Sequence, residues 1–314
     1  MSQMSAREVE GQYHQLAAEH QYTKALQLIT EHFDLFPPHA QRVVYYWRMK
    51  MACGLDDAQL VLATLREAID HGHWYANLDQ NPDFQILADS LEFQELVAIC
   101  AQRRETEIAN AKPVIKVLEP EPSSGSHPLL FALHGNSGNV EQFASHWEDA
   151  RDHGWLVALP QSPQAHGPEN FSWNDWDWVI PTIGDHFSKV CKNYPIDQER
   201  VVLAGFSMGA GLALWLALEQ TIKVQGLICV APFLSDPDAL RTVLADPRNQ
   251  NLRVHLVASR EDEYCYEVAQ KLSALFTEHG IKHRLDIYQD IGHSFPSTFE
   301  SEVPMALDFI LKGE

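Results

Sequence analysis

The pentapeptide Gly205-Phe206-Ser207-Met208-Gly209 carries the strongest chemical signal in the chain, a serine with a glycine two residues away on either side. Val201-Val202-Leu203-Ala204 before it reads as a strand, and Ala210 to Leu218 after it as an apolar helix. In a strand, G-x-S-x-G, helix order the serine sits in a tight, strained turn, so the positions two before and two after must be small for strand and helix to approach. Its oxygen is pushed out above the strand ends, with a helix amino terminus behind it to favour developing negative charge. That is the setting of a nucleophile.

A serine hydroxyl needs a base, usually a histidine held in one tautomer by a carboxylate. With 16 histidines in the chain, position must decide. His293, in Asp290-Ile291-Gly292-His293-Ser294-Phe295, lies in a loop just beyond the last strand expected, Leu285 to Tyr288, and Gly292 lets the backbone turn sharply there. His279 and His283 flank a helix end and a strand start, at the wrong end of that strand. An oxyanion would need donors as well. One is the main-chain N–H of Met208, the residue after the nucleophile. The other is the main-chain N–H of Asn136 in His134-Gly135-Asn136-Ser137-Gly138-Asn139, where Gly135 and Gly138 let amides bend inward. A glycine-rich loop after a strand can also cradle phosphate, but neither a Walker lysine nor GxGxxG follows.

These residues require a frame, and the second part of the chain supplies it. Leu129 to Leu133, Trp155 to Leu159, Val201 to Ala204, Leu227 to Val230, Val254 to Ala258 and Leu285 to Tyr288 are short apolar runs separated by helix-length segments. Continuous apolar strands with helical connections predict an α/β fold, a mainly parallel sheet with helices on both faces. In such sheets function gathers at the carboxyl ends of the strands. Val114 to Leu118 is read as the first strand of this domain, with the Pro/Ser/Gly-rich Glu119 to His127 as the hairpin after it.

Residues 5 to about 110 are different: β-favouring runs are scarce, and Leu60, Leu62, Ala63, Leu65 and Ile69 recur at helical spacing. Breaks near Glu19-His20-Gln21, Pro37-Pro38, Gly54 to Asp57 and His71-Gly72 cut the segment into antiparallel helices. An offset of 34 residues pairs Leu26 with Leu60 and Leu28 with Leu62. That period resembles the tetratricopeptide repeat over about two units, with Trp74 to Val97 as a closing segment. A plain helical bundle explains the same leucines equally well. The predicted division is residues 1–112, all-helical, and residues 113–314, catalytic.

Together, His134-Gly135, the serine turn and His293 make residues 113–314 resemble the α/β-hydrolase superfamily, especially its carboxylesterase/phospholipase and dienelactone hydrolase branches. Dienelactone hydrolases proper use a cysteine nucleophile; serine at position 207 points toward the esterases. In this family the order along the chain is serine, acid, histidine. The acid belongs after the strand Val254 to Ala258, where Ser259-Arg260-Glu261-Asp262-Glu263 offers three adjacent carboxylates. The resemblance of Ser259-Arg260-Glu261-Asp262 to the family's G-x-x-D pattern selects Asp262, with Glu261 in reserve and Asp236 and Asp238 as weaker alternatives. Leu159 to Pro163 and Ser172-Trp173-Asn174-Asp175-Trp176 are also similar to the esterase branch, where this loop borders the acyl pocket. Trp173, Trp176 and Trp178 then either line that pocket or pack in the core.

The resemblance implies two-step cleavage of a small-molecule ester through an acyl-enzyme, with thioesters and amides accessible to the same groups. A different class of function is a protein-interaction module, in which the helical front domain recruits a peptide or sits beside the active site as a lid. Lys and Arg total 23 against 43 for Asp and Glu, a formal charge of −20 that disfavours nucleic acid and anionic lipid as partners. The five scattered cysteines form no metal-site spacing and read as reduced structural thiols, so no metal and no cofactor is expected. Arg7, Glu8, Glu10, His14 and Glu19 interrupt any signal-peptide core, and no apolar window reaches membrane-spanning length. A soluble cytoplasmic protein is expected.

Overall fold

The computed structural model describes residues 4–110, 114–121, 125–289 and 291–312. The predicted boundary between residues 112 and 113 and part of the predicted 119–127 hairpin lie outside them. By main-chain contacts the chain divides into two compact units, Met1–Ala111 with Ala165–Pro168, and Lys112–Gln164 with Glu169–Glu314.

The first unit is helical: α1 (Ala6–Ala18), α2 (Tyr22–Glu31), α3 (Pro38–Gly54), α4 (Ala58–Asp70) and α5 (Leu91–Asn110), with short 3-10 turns between Leu78 and Leu87. Ser5 and Glu8 form a capping box that starts α1, and Asp57 caps α4 by accepting from the Leu60 N–H. Pro38 occupies the first turn of α3, where its missing N–H is harmless. The breaks fall where the sequence puts them. Val9, Tyr13, Ala25, Ile29, Val44 and Met51 form a buried core between α1, α2 and α3. Successive helices pack as neighbours, as both repeats and a bundle require.

The second unit is built on a seven-stranded sheet. Its strands are β1 (Ile115–Leu118), β2 (His127–Leu133), β3 (Leu156–Pro160), β6 (Ile196–Phe206), β7 (Gly226–Val230), β8 (Arg253–Ser259) and β9 (Lys282–Tyr288); the short strands β4 (Gln164–Gly167) and β5 (Asn170–Ser172) lie outside this sheet. The order is β1-β3-β2-β6-β7-β8-β9, with every pair parallel except β1 with β3. The expected hairpin is therefore not formed. Val117 faces Ala158 in β3, and β2 takes the interior place between β3 and β6. The reason is burial: Leu129 to Leu133 are all inaccessible and must be covered on both faces and flanked on both edges, whereas the half-buried Ile115 to Leu118 suit an edge.

Connecting helices are α6 (Val140–Phe143), α7 (Glu148–Asp152), α8 (Trp176–Asn193), α9 (Met208–Leu218), α10 (Arg241–Leu244), α11 (Glu263–Glu278) and α12 (Phe299–Lys312). Alternate strand residues feed two cores. Leu129, Phe131, Leu133, Val201, Leu203, Leu227 and Cys229 meet α8, α9 and α11; Leu130, Ala132, Val202, Ala204, Ile228 and Val230 meet α6, α7 and α12. Apolar residues on both faces explain why the strands read as unbroken hydrophobic runs. Among the described residues no helix is long and apolar enough to cross a membrane.

Candidate active site

The β6 strand ends at Phe206, and α9 begins at Met208, so one residue must reverse the chain. Ser207 does so at φ 52°, ψ −120°, a backbone conformation that non-glycine residues seldom adopt and that costs on the order of 1–3 kcal/mol. Its main chain is held on all sides. The N–H donates to Val230 O at 2.9 Å, and the carbonyl accepts from Ala210, Gly211 and Phe233. The flanking glycines are steric necessities. A Cβ on Gly205 would lie 2.5 Å from the Gly209 carbonyl, and one on Gly209 would lie 2.3 Å from His134 O and 2.4 Å from Leu133 O. The same closeness brings the loop after β2 against the serine turn.

His293 reaches the serine from the loop after β9, where Gly292 makes the left-handed turn at φ 56°. Its Nε2 lies 2.9 Å from Ser207 Oγ, and its Nδ1 lies 2.6 Å from Asp262 Oδ2. A carboxylate accepts only, so Nδ1 carries the proton, and Nε2 is left to accept from the serine hydroxyl. Asp262 is fixed by its second oxygen. As N-cap of α11 it accepts from the Cys265 N–H through Oδ1 at 3.4 Å. Burial, the largest single influence on this carboxyl, pushes its pKa up. Hydrogen bonds from His293 and Cys265 and the charge of His293 outweigh it, so the group lies below the ordinary carboxylate value. Of the alternatives, Glu261 is exposed, Asp236 caps the turn at Pro237 through the Asp238 N–H, and Asp238 pairs with Arg241 at 3.1 Å.

Met208 opens α9, so its N–H has no carbonyl one turn earlier. Among the described residues neither this N–H nor that of Asn136, in the exposed loop after β2, donates to a main-chain acceptor. These are the two donors the sequence offers to an oxyanion.

Several residues that support this geometry were not singled out by sequence. His134 is 1% exposed, with Nδ1 2.7 Å from Gly135 O and Nε2 2.9 Å from the Gln161 side-chain amide and 3.2 Å from the Ser162 N–H. The ring thus ties the loop after β2 to the segment after β3. Phe206 lies beside His293 at 4.9 Å between ring centres and stacks on Phe295, which stacks on His146. Cys265 Sγ is 3.7 Å from His293 Nδ1. Asp262, Cys265 and His293 also place possible metal-ligand atoms within 4.8 Å of one another. Burial above all, with the neighbouring Asp262 carboxylate, pushes the Cys265 thiol up, so the thiolate a soft metal prefers is disfavoured there.

Of the two roles expected for Trp173, the structure shows packing in the core. It is 1% exposed, packs on the His134 ring at 4.7 Å and donates its indole N–H to His134 O at 2.7 Å, which leaves no face for a substrate. Its bulk fills the core beside the loop after β2. Trp176 is half-buried against Trp215 at 5.5 Å, and Trp178 is exposed.

Burial holds His134 neutral, with its pKa pushed down to about 4 despite the bond to Gly135 O. For a base with a depressed folded pKa, stability is fully present above the unfolded value near 6.5. It is lost as pH falls from there toward 4, because the unfolded chain takes up the proton first. Urea unfolding at pH 7 and pH 4.5 should show a loss in the wild type that exceeds that of His134→Gln by roughly 2–3 kcal/mol. Equal losses would assign the acid sensitivity elsewhere.

The strand order, the serine turn after the central strand β6, and Asp262 and His293 after β8 and β9 have the arrangement of an α/β-hydrolase fold, preceded by a helical unit. Residues 172–311 match the family model for Phospholipase/Carboxylesterase, and residues 11–108 match that for the A/B hydrolase-like, N-terminal domain. A bifunctional acetylxylan esterase/xylanase of Neocallimastix patriciarum is 34% identical over 114 residues, 34% of this chain; the chain thus spans 16% of the length of that curated relative. An uncharacterized protein from Bacillus cereus aligns in structure over 99% of this chain and 100% of its own, at 24% identity and a TM-score of 0.57. Esterase PE8 aligns over 64% of this chain and 100% of its own, at 19% identity and a TM-score of 0.55. These two likenesses are of fold.

Proposed function

We propose that the protein is a carboxylic ester hydrolase acting on small-molecule esters through an acyl-enzyme on Ser207. The observation that carries this reading is the continuous chain Ser207 Oγ, His293 Nε2 at 2.9 Å, and His293 Nδ1, Asp262 Oδ2 at 2.6 Å. In the reading, His293 removes the serine proton as Oγ attacks the ester carbonyl, and the Met208 and Asn136 N–H groups stabilise the oxyanion. The protonated imidazole, oriented and charge-balanced by Asp262, gives its proton to the departing alcohol. His293 then activates water to release the acid. The name of the partial relative makes acetyl esters the first substrates to try. Hydrolysis of p-nitrophenyl acetate that a fluorophosphonate abolishes stoichiometrically is the expected result. Turnover untouched by the fluorophosphonate would remove the serine from the mechanism.

We also assign residues 1–112 to a separate domain that engages a protein partner, in a protein working in the cytoplasm. Support comes from a cavity of about 520 Å³ within the helical unit, lined by Tyr13, His14, Tyr46, Trp47, Lys50 and Asp83. Stacked helices offer such concave faces to peptides. On this reading, the full-length double variant His14→Ala, Lys50→Ala keeps its ester turnover within about twofold of wild type. A tenfold loss would instead make this face part of the esterase.

A further inference from the structure

Beside the serine turn lies an aromatic pair to which the mechanism above gives no work. The loop after β7 leaves the sheet through Ala231 at φ 45°, a strained position for a residue with a side chain, and then passes the nucleophile. Phe233 is clamped there by its main chain. Its N–H donates to Ser207 O at 3.1 Å, and its carbonyl oxygen sits only 2.2 Å from where a Cβ on Gly211 would be, so α9 must carry a glycine to admit it. Tyr264 stands two residues after Asp262, in the first turn of α11, and donates its hydroxyl to Leu234 O at 2.8 Å. The two rings pack at 5.2 Å between centres and 31° between planes.

Both residues are nevertheless open to solvent, Phe233 at 38% and Tyr264 at 47%, while Leu234, whose carbonyl holds the Tyr264 hydroxyl, is buried. Single exposed apolar residues are ordinary. Two rings held rigidly, one by the nucleophile's own carbonyl and the other on the turn of the acid, are not scattered surface. The Tyr264 hydroxyl is already engaged with main chain, so the pair offers mainly ring surface to whatever approaches Ser207.

We propose that Phe233 and Tyr264 form a ring-binding subsite of the ester site, on which a planar aromatic group of the substrate stacks beside the scissile carbonyl. The inference rests on the esterase reading and specifies its substrate class. Aromatic rings gain from offset or edge contacts with other rings beyond simple area burial, whereas a long alkyl chain gains most from an enclosed trough. An open, paired platform fits the former. Its clamped backbone means that little ordering remains to be done on binding.

The test uses two pairs of esters that differ only in flat against puckered rings: benzyl acetate with cyclohexylmethyl acetate, and ethyl 3-phenylpropanoate with ethyl 3-cyclohexylpropanoate. Phe233→Ala and Tyr264→Ala should each lower kcat/KM about five- to tenfold on the phenyl member of one pair and under about twofold on its cyclohexyl partner. The pair that responds identifies whether the alcohol or the acyl group occupies the subsite. Tyr264→Phe, which keeps the ring, should keep the selectivity and guards against a loss caused by misfolding. Equal losses on phenyl and cyclohexyl members, or no losses, in an enzyme whose turnover still needs Ser207 would overturn the subsite and leave the esterase reading intact. Failure of the wild type to hydrolyse any of the four esters, or p-nitrophenyl acetate, would instead overturn both.

Discussion

Ser207→Ala is expected to lower kcat for p-nitrophenyl acetate by about 10⁵–10⁶-fold, because it removes the atom that forms the covalent intermediate. The fold should not notice. Ser207 contributes its main chain to the turn, through the bond to Val230 O and the three amides that its carbonyl accepts, and alanine keeps all of these. The side chain is 7% exposed and its oxygen bonds His293, so its loss empties little space. Stability should stay within about 0.5 kcal/mol of wild type. The measurement is kcat beside urea unfolding of the same preparation. A large loss of stability together with the loss of rate would mean that the serine serves the turn rather than the reaction.

Asp262→Asn should cost about 10³–10⁴-fold in kcat with the helix cap intact, since asparagine caps as well as aspartate. The asymmetry follows from the two oxygens. Oδ1 only receives the Cys265 N–H, a task an amide oxygen can perform. Oδ2 accepts from His293 Nδ1 at 2.6 Å, and an amide nitrogen facing that atom would favour the tautomer with its proton on Nε2. The imidazole would then donate toward Ser207 instead of accepting from it. Glu261→Gln, an exposed change one residue away, should leave kcat within about twofold. If the two substitutions exchanged their effects, the acid would be Glu261.

Why Ser207, His293 and Asp262 were readable from sequence has a physical basis. Ser207 and Asp262 follow β6 and β8, whose last residues are buried on both faces and read as apolar runs, so their ends can be located to within a few residues; His293 follows the half-exposed edge strand β9, where the shorter run Leu285 to Tyr288 and Gly292 mark the turn. The glycines at 205 and 209 were readable because the turn excludes a Cβ at both, by contacts of 2.5 Å and 2.3 Å. The repeat-like front segment was legible as helices through its apolar spacing and its breaks, and Pro38 and Asp57, which lie in two of those breaks, each stand at a helix start.

What escaped depends on partners far away in the chain. β1 pairs with β3 across some 40 residues, and nothing in Ile115 to Leu118 distinguishes that edge from a hairpin with β2. For Trp173 the sequence left pocket wall and core packing open, because an aromatic cluster beside a polar loop fits either role. Its burial follows from a bond to His134 O, 39 residues earlier in the chain. His134 entered as the start of a glycine-rich loop and as part of the family resemblance, with no role for its ring, which joins that loop to Gln161 and Ser162. Phe206 filled a variable position of the motif, and only the fold reveals that its ring packs with those of His293 and Phe295.

The proposed reaction passes through a covalent bond between Ser207 and an acyl group, and that bond can be weighed. Wild-type protein mixed with excess p-nitrophenyl acetate, quenched in acid within milliseconds and digested, should yield the peptide containing Gly205 to Gly209 heavier by one acetyl group, with the adduct on Ser207 and none in Ser207→Ala. An unmodified Ser207 peptide during rapid turnover, or an acetyl group that persists elsewhere in an active Ser207→Ala protein, would contradict it.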